Sequence, residues 1–190
     1  MATKIAKEEL KTDCIVIGSV QHSGTYFLTW TVGRNPGRAK IKADNCQIII
    51  PNAKDGRAQS EYVSIHGHFD HRTELLKELA KTRKMVIPLR HPALIAVSWK
   101  ARGEDGNRRT PTFLDQWVRM DEFPDAFFFT MEEKPFDDLE TYLGRPVNRI
   151  KRYVNKMDYE FPTNVLEYLG DDRHLVEKAL QTDVGKRFYS

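Results

Sequence analysis

Short, nearly continuous apolar runs recur along the chain, and segments with apolar residues three to four positions apart lie between them. Cys14 to Ile17, the alternating stretch Tyr62 to Phe69, Met85 to Leu89 and Ala126 to Thr130 read as strands. Thr25 onward, Thr73 to Thr82, Pro92 to Arg102, Phe113 to Phe123 and Pro135 to Leu143 read as helices, the last closed by Gly144. Ala39 to Ile50 is a polar stretch ending in the apolar run Ile48, Ile49, Ile50, which Pro51 closes. Asn52 to Gln59 and Gly103 to Pro111 read as loops, and Lys4 to Lys11 as a short helical or frayed start. Apolar strands alternating with helices predict an α/β fold of three layers, with a mostly parallel central sheet and helices on both faces.

Length leaves room for one domain, and residues 1–190 are expected to form it. Residues 146–190 are polar, with aromatics at Tyr153, Tyr159, Phe161 and Tyr168 and a final helix over His174 to Leu180. They are expected to be a C-terminal cap or helical extension of the same domain.

Charge adds little. Charged residues are 30% of the chain and the net charge is +3, too small and dispersed for a nucleic-acid binder but compatible with an anionic cofactor. Cys14 and Cys46 lack a zinc or CxxC spacing and read as free thiols. The N-terminal segment has no signal-peptide core and no apolar run approaches membrane-spanning length, so the expectation is a cytoplasmic protein without membrane contact.

The chemistry concentrates in CIVIGSVQHSGTYFLTWT, residues 14–31, which reads as strand, Gly/Ser turn and helix start. Such a junction points backbone N–H groups at the positive end of a helix, where an anion is stabilised. It is not the GxxxxGK[ST] loop of nucleotide kinases, since Thr25 and Tyr26 follow Gly24 where that loop has Lys. Ligands of a parallel sheet gather beyond the carboxyl ends of its strands. There, His66 and His68 emerge on one face of a strand, and Arg90, a fork of donors suited to phosphate, follows another strand with Ser98 about two helical turns beyond it. A metal on His66, His68 and His71 lacks an evident further ligand, and no metal is expected. His91 and His174 read as structural.

SVQHSGTYFL, SIHGHFDH and VIPLRHPALIAVSWKARG, in that order, resemble the sulfotransferases that use 3'-phosphoadenosine-5'-phosphosulfate, and AFFFTMEEKPFDDLETYLGRP resembles that family's later segment. The resemblance spans about Cys14 to Pro146 and implies a P-loop-like fold. It implies that His22, Ser23, Gly24, Thr25 and Tyr26 wrap the 5' phosphosulfate and that Arg90 and Ser98 hold the 3' phosphate. Phe27 would stack on the adenine or, equally, belong to the core. His68 matches the family's general base, and His66 falls where its cytosolic branch has a lysine near the reacting sulfuryl group.

The chain departs from the family where His22 replaces the loop lysine or arginine and Met131 replaces the tyrosine of a YED-like stretch, leaving Glu132 and Glu133. Lys186 and Arg187 are the weak candidates for its C-terminal phosphate clasp. The expected activity is transfer of a sulfuryl group to a hydroxyl or amine of a small molecule or glycan, with 3',5'-adenosine bisphosphate as product. Two alternatives remain: an unusual phosphotransferase of P-loop fold, and a catalytically silent binder of a 3'-phosphonucleotide.

Overall fold

The computed structural model describes residues 15–32, 39–43, 46–50, 64–70, 72–103, 113–149 and 162–189. The start at Lys4 to Lys11, the loop at Asn52 to Gln59, most of the loop at Gly103 to Pro111, and His71, Cys14, Tyr153, Tyr159 and Phe161 lie outside those residues.

Six strands form one sheet in the order β2-β3-β4-β1-β5-β6. Four of them, β1 (Ile15–Ser19), β4 (Ser64–His68), β5 (Met85–Leu89) and β6 (Phe127–Thr130), run parallel. The other two, β2 (Ala39–Ala43) and β3 (Cys46–Ile50), form a hairpin that joins the sheet antiparallel, with Ile49 opposite His66. The isoleucine run thus belongs to an edge hairpin. The polar half of that segment, alternating Ala39, Lys40, Ile41, Lys42 and Ala43, is its outer strand, since a period of two suits an edge even when two of its five residues are charged.

Alternation along the parallel strands sorts side chains between the two helical layers. Ile15, Ile17, Val86 and Phe129 pack with Phe27, Leu28 and Val32 of α1 (Thr25–Val32) and with Leu139 and Leu143 of α5 (Phe136–Leu143). Val16, Met85, Ile87, Leu89 and Phe128 face the opposite layer. That layer contains α2 (Thr73–Ala80), α3 (Pro92–Ala101), α4 (Phe113–Trp117), α6 (Val165–Leu169), α7 (Arg173–Leu180) and α8 (Asp183–Tyr189). The helical expectation over Phe113 to Phe123 divides into α4 and a 3-10 turn, Val118–Glu122.

Each large apolar side chain fully buried in these layers contributes on the order of 1.5–3 kcal/mol. Gly18 makes room for one such contact: a Cβ there would lie 2.2 Å from Met85 Cε and 2.7 Å from Phe69 Cζ.

The chain leaves β1 for β4 on one side and returns to β5 on the other, so the order reverses between β1 and β5. Crevices form at such reversals, outside the carboxyl ends. Pro88 ends the ladder on this side. Leu89 O accepts from Met131 N–H on the β6 side, which turns Pro88 toward β1 without an N–H to donate. The β1/β5 ladder accordingly pairs only Val16 with Met85 and Ile17 with Val86.

Candidate functional site

Beyond Ser19 the chain makes a tight loop and enters α1. His22 has φ 65° and Gly24 φ 107°. The Ser23 hydroxyl donates to Val20 O at 2.7 Å, and the Ser23 amide donates to the same carbonyl at 3.2 Å. Leu28 N–H to Gly24 O, 3.1 Å, is an opening bond of the helix. The region fits Gly24 alone: besides the positive φ, a Cβ there would meet Met131 Sδ and Cε at 2.7 Å.

Two neighbouring groups brace the loop from the other layer. Gln116 Oε1 accepts from Gln21 N–H at 2.9 Å, and Trp99 Nε1–H donates to Gln21 O at 3.3 Å. The His22 ring meets the face of Trp99 edge-on, centroids 5.9 Å apart.

Thr25 opens α1 with its side chain at 6% exposure, and its Oγ1 is buried without a hydrogen-bond partner. A buried hydroxyl left unpaired costs about 1–3 kcal/mol. At the first turn of a helix whose N–H groups already favour an anion, an oxygen acceptor from a ligand satisfies it. Gln21 Oε1 and Ser64 Oγ are likewise buried without partners.

Beside the loop, on the α1 face of the sheet, lie Ser19, His66 and His68. Ser19 pairs with His68 and Ile17 with His66 in the parallel ladder. Ser19 Oγ lies 2.9 Å from His68 Nδ1 and 3.4 Å from His66 Nε2, and the two imidazoles meet edge to face at 4.7 Å. Burial, reinforced by the His68 and Arg72 charges, pushes His66 down to about 3. Burial and then Arg72 push His68 down to about 4, against the opposing pull of Asp70. Both rings are therefore neutral at physiological pH.

Asp70 and Arg72 form a tight bidentate pair. Arg72 Nε donates to Oδ1 at 2.8 Å, the Arg72 amide to the same oxygen at 2.9 Å, and Nη2 to Oδ2. Sequence reading missed this pair and Ser19. The signal was present in both cases: Ser19 closes β1 one position after Gly18, and Asp70 follows His68 by two.

On the far side of the crevice Arg90 caps β5, half-buried. His91 N–H donates to Glu132 Oε1 at 2.9 Å, and the Tyr189 hydroxyl donates to Glu132 Oε2 at 3.3 Å. The Tyr189 ring meets that of His91 at 5.0 Å. Burial and Glu132 push the Tyr189 phenol up, against the smaller opposing pull of the Arg90 charge. His91 has a structural role: its Nδ1 accepts from Ala93 N–H at 3.2 Å and caps α3. Ser98 is buried on α3.

The expected site residues thus divide. Ser23, Gly24 and Thr25 form the loop and helix mouth, His22 lies close enough for its charge to bear on His68, and His66 and His68 share one hydroxyl. Tyr26 is the second residue of α1, and its side chain lies outside the described part. Phe27 is in the core, 1% exposed, against Phe129 and Phe136 at centroid distances of 6.0 and 6.4 Å. Arg187 lies over the rings of Phe128 and Phe188, and Lys186 sits in the same helix.

Among the described residues no group of three His, Cys, Asp or Glu side chains is placed to hold a metal, and no helix is long and apolar enough to cross a membrane. No family model matches the chain, nor does any curated protein or solved structure.

Proposed function

We propose that this protein is a sulfotransferase that carries a sulfuryl group from 3'-phosphoadenosine-5'-phosphosulfate to a hydroxyl or amine of a small-molecule or glycan acceptor. The observation that carries the reading is the buried, unpaired Thr25 hydroxyl at the mouth of α1, next to a strand end that holds the neutral base candidate His68. A helix N-terminus that ends on an unsatisfied hydroxyl fits a bound oxyanion.

Bound there, the nucleotide supplies a sulfuryl group already activated on a phosphate leaving group. The chain supplies the rest. Ser23, Gly24 and Thr25 hold the 5' anion at the positive end of α1. Arg90, at the opposite wall of the crevice, and Ser98 hold the 3' phosphate, the group that separates this nucleotide from AMP and ATP. His22 donates to the developing negative charge with less strength than lysine, since a histidine is fully charged only when protonated. His68 takes the acceptor's proton through Nε2 as the nucleophile closes on sulfur. A cytoplasmic setting accords with two cysteines that show no pairing or metal spacing.

Calorimetry with 3',5'-adenosine bisphosphate and with AMP tests the reading. The bisphosphate is expected to bind at micromolar level and about tenfold or more tighter than AMP, the return on charge-assisted bonds to the 3' phosphate. Equal affinity, or none, overturns the Arg90 and Ser98 assignment. Tight binding without sulfuryl transfer to any phenol, sugar or amine acceptor selects the silent binder instead, the reading that His22 in place of lysine favours.

A further inference from the structure

Ser19 holds the one hydroxyl shared by two imidazoles. It is fully buried, at 0% exposure, so it cannot reach a substrate as a nucleophile and no bulk water competes for it. A neutral histidine carries one N–H and one lone pair, and a serine hydroxyl has one proton to give. With His68 Nδ1 at 2.9 Å and His66 Nε2 at 3.4 Å from Oγ, the favourable arrangement has one nitrogen donating to the oxygen while the other accepts its proton. The tautomers of the two rings are therefore coupled through Ser19.

The role proposed for His68 breaks the tie. A base that takes the acceptor's proton on Nε2 keeps its own proton on Nδ1, the nitrogen 2.9 Å from Ser19 Oγ. The hydroxyl, having received that N–H, turns its own proton toward His66 Nε2, which fixes the proton of His66 on Nδ1.

We propose that Ser19 and His66 are positioning residues, a buried relay that locks His68 in the Nδ1–H tautomer and leaves its Nε2 lone pair for the acceptor's proton. The inference rests on His68 being the base. It gives His66 a task different from the one the resemblance implies: a standing acceptor behind the base. Burial suits His66 to that task, since a ring held neutral down to about pH 3 remains an acceptor throughout the working range. Asp70 does not take this place, because its carboxylate is occupied by Arg72.

Nitrogen-15 NMR of the full chain labelled in histidine reads the tautomers directly, without nucleotide or turnover. Both His68 and His66 are expected as Nδ1–H, with populations unchanged from pH 5.5 to 8. Either ring found as Nε2–H overturns the proposal.

Ser19→Ala should release His66 from that tautomer and lower kcat about tenfold, the loss of one hydrogen bond behind the base, with the KM for nucleotide within about twofold. Ser19→Thr keeps the hydroxyl and should restore both readouts. An unchanged kcat in a folded Ser19→Ala variant overturns the positioning role. Tautomers as stated in a protein without any sulfuryl transfer support the relay and count against the sulfotransferase reading, so the two failures are distinct.

Discussion

As the proposed base, His68 stands in an unusual state: deep enough to be neutral, yet next to the mouth of a helix, where an anion would be stabilised. His68→Ala should lower turnover by about 10²–10⁴-fold while nucleotide affinity stays nearly constant, as single-turnover kinetics and calorimetry would show. A matching loss of affinity would assign His68 to structure. The pH dependence follows from the depressed values of about 4 and about 3 for His68 and His66. Unfolded histidine titrates near 6.5, so the unfolded chain binds more protons below that pH. The two rings' contribution to stability is complete above about pH 6.5 and is lost as pH falls through about 4 and then 3. Thermal melts should show it, and His66→Gln should flatten the slope between pH 6.5 and 4. An anion bound at the α1 mouth favours protonated imidazole, so 3',5'-adenosine bisphosphate should raise the His68 value, a shift visible in the same NMR spectra.

At the scale of the element, the loop between β1 and α1 is held by both layers. Gly24→Ala must adopt φ near 107° and push against Met131, with strain of roughly 1–2 kcal/mol from the backbone alone. It should lower the melting temperature and weaken nucleotide binding together, and shortening Met131 to Ala in the same chain should recover part of the stability but not all, because the backbone strain remains. His22→Lys places a permanent charge where the loop has a titratable one, and should retain or raise turnover. A severe loss would mean that the edge-on contact with Trp99, not charge, is what the position requires.

Across the whole molecule, the last helix reaches back to the crevice. Tyr189 joins α8 to Glu132 after β6, and Glu132 joins the His91 amide after β5, so the C-terminal helix helps fix the turn that carries Arg90. Trp117 Nε1–H to Thr182 Oγ1, 3.0 Å, ties the start of α8 to α4. Tyr189→Phe should cost about 1 kcal/mol of stability in denaturant melts and a few-fold in affinity for the 3' phosphate. If the affinity loss were the same for AMP, the latch would be acting on the loop rather than on the Arg90 side.

The amino-acid pattern alone determined most of the parallel core. Met85–Leu89 matches its apolar run residue for residue, Pro92 opens α3 at its first position, and Gly144 ends α5 with φ 73°. These are local matters, set by burial on both faces, by the missing N–H of proline and by the freedom of glycine. The loop, the histidine pair and Arg90 were legible for the same reason, since strand ends are read directly from the run that precedes them.

Three features needed the tertiary structure. The outer hairpin strand has too few apolar residues to announce itself and exists because β3 offers it an edge. Helices α6 and α8 are short and earn their place by packing on the core, through Leu169 and Val184. Ser19 looked like a turn residue, and only the parallel register that sets it opposite His68 makes it the hydroxyl shared by two imidazoles. Residue type limits what a side chain can donate or accept, but the partner with which it does so is chosen by strand order and register, which no local stretch contains.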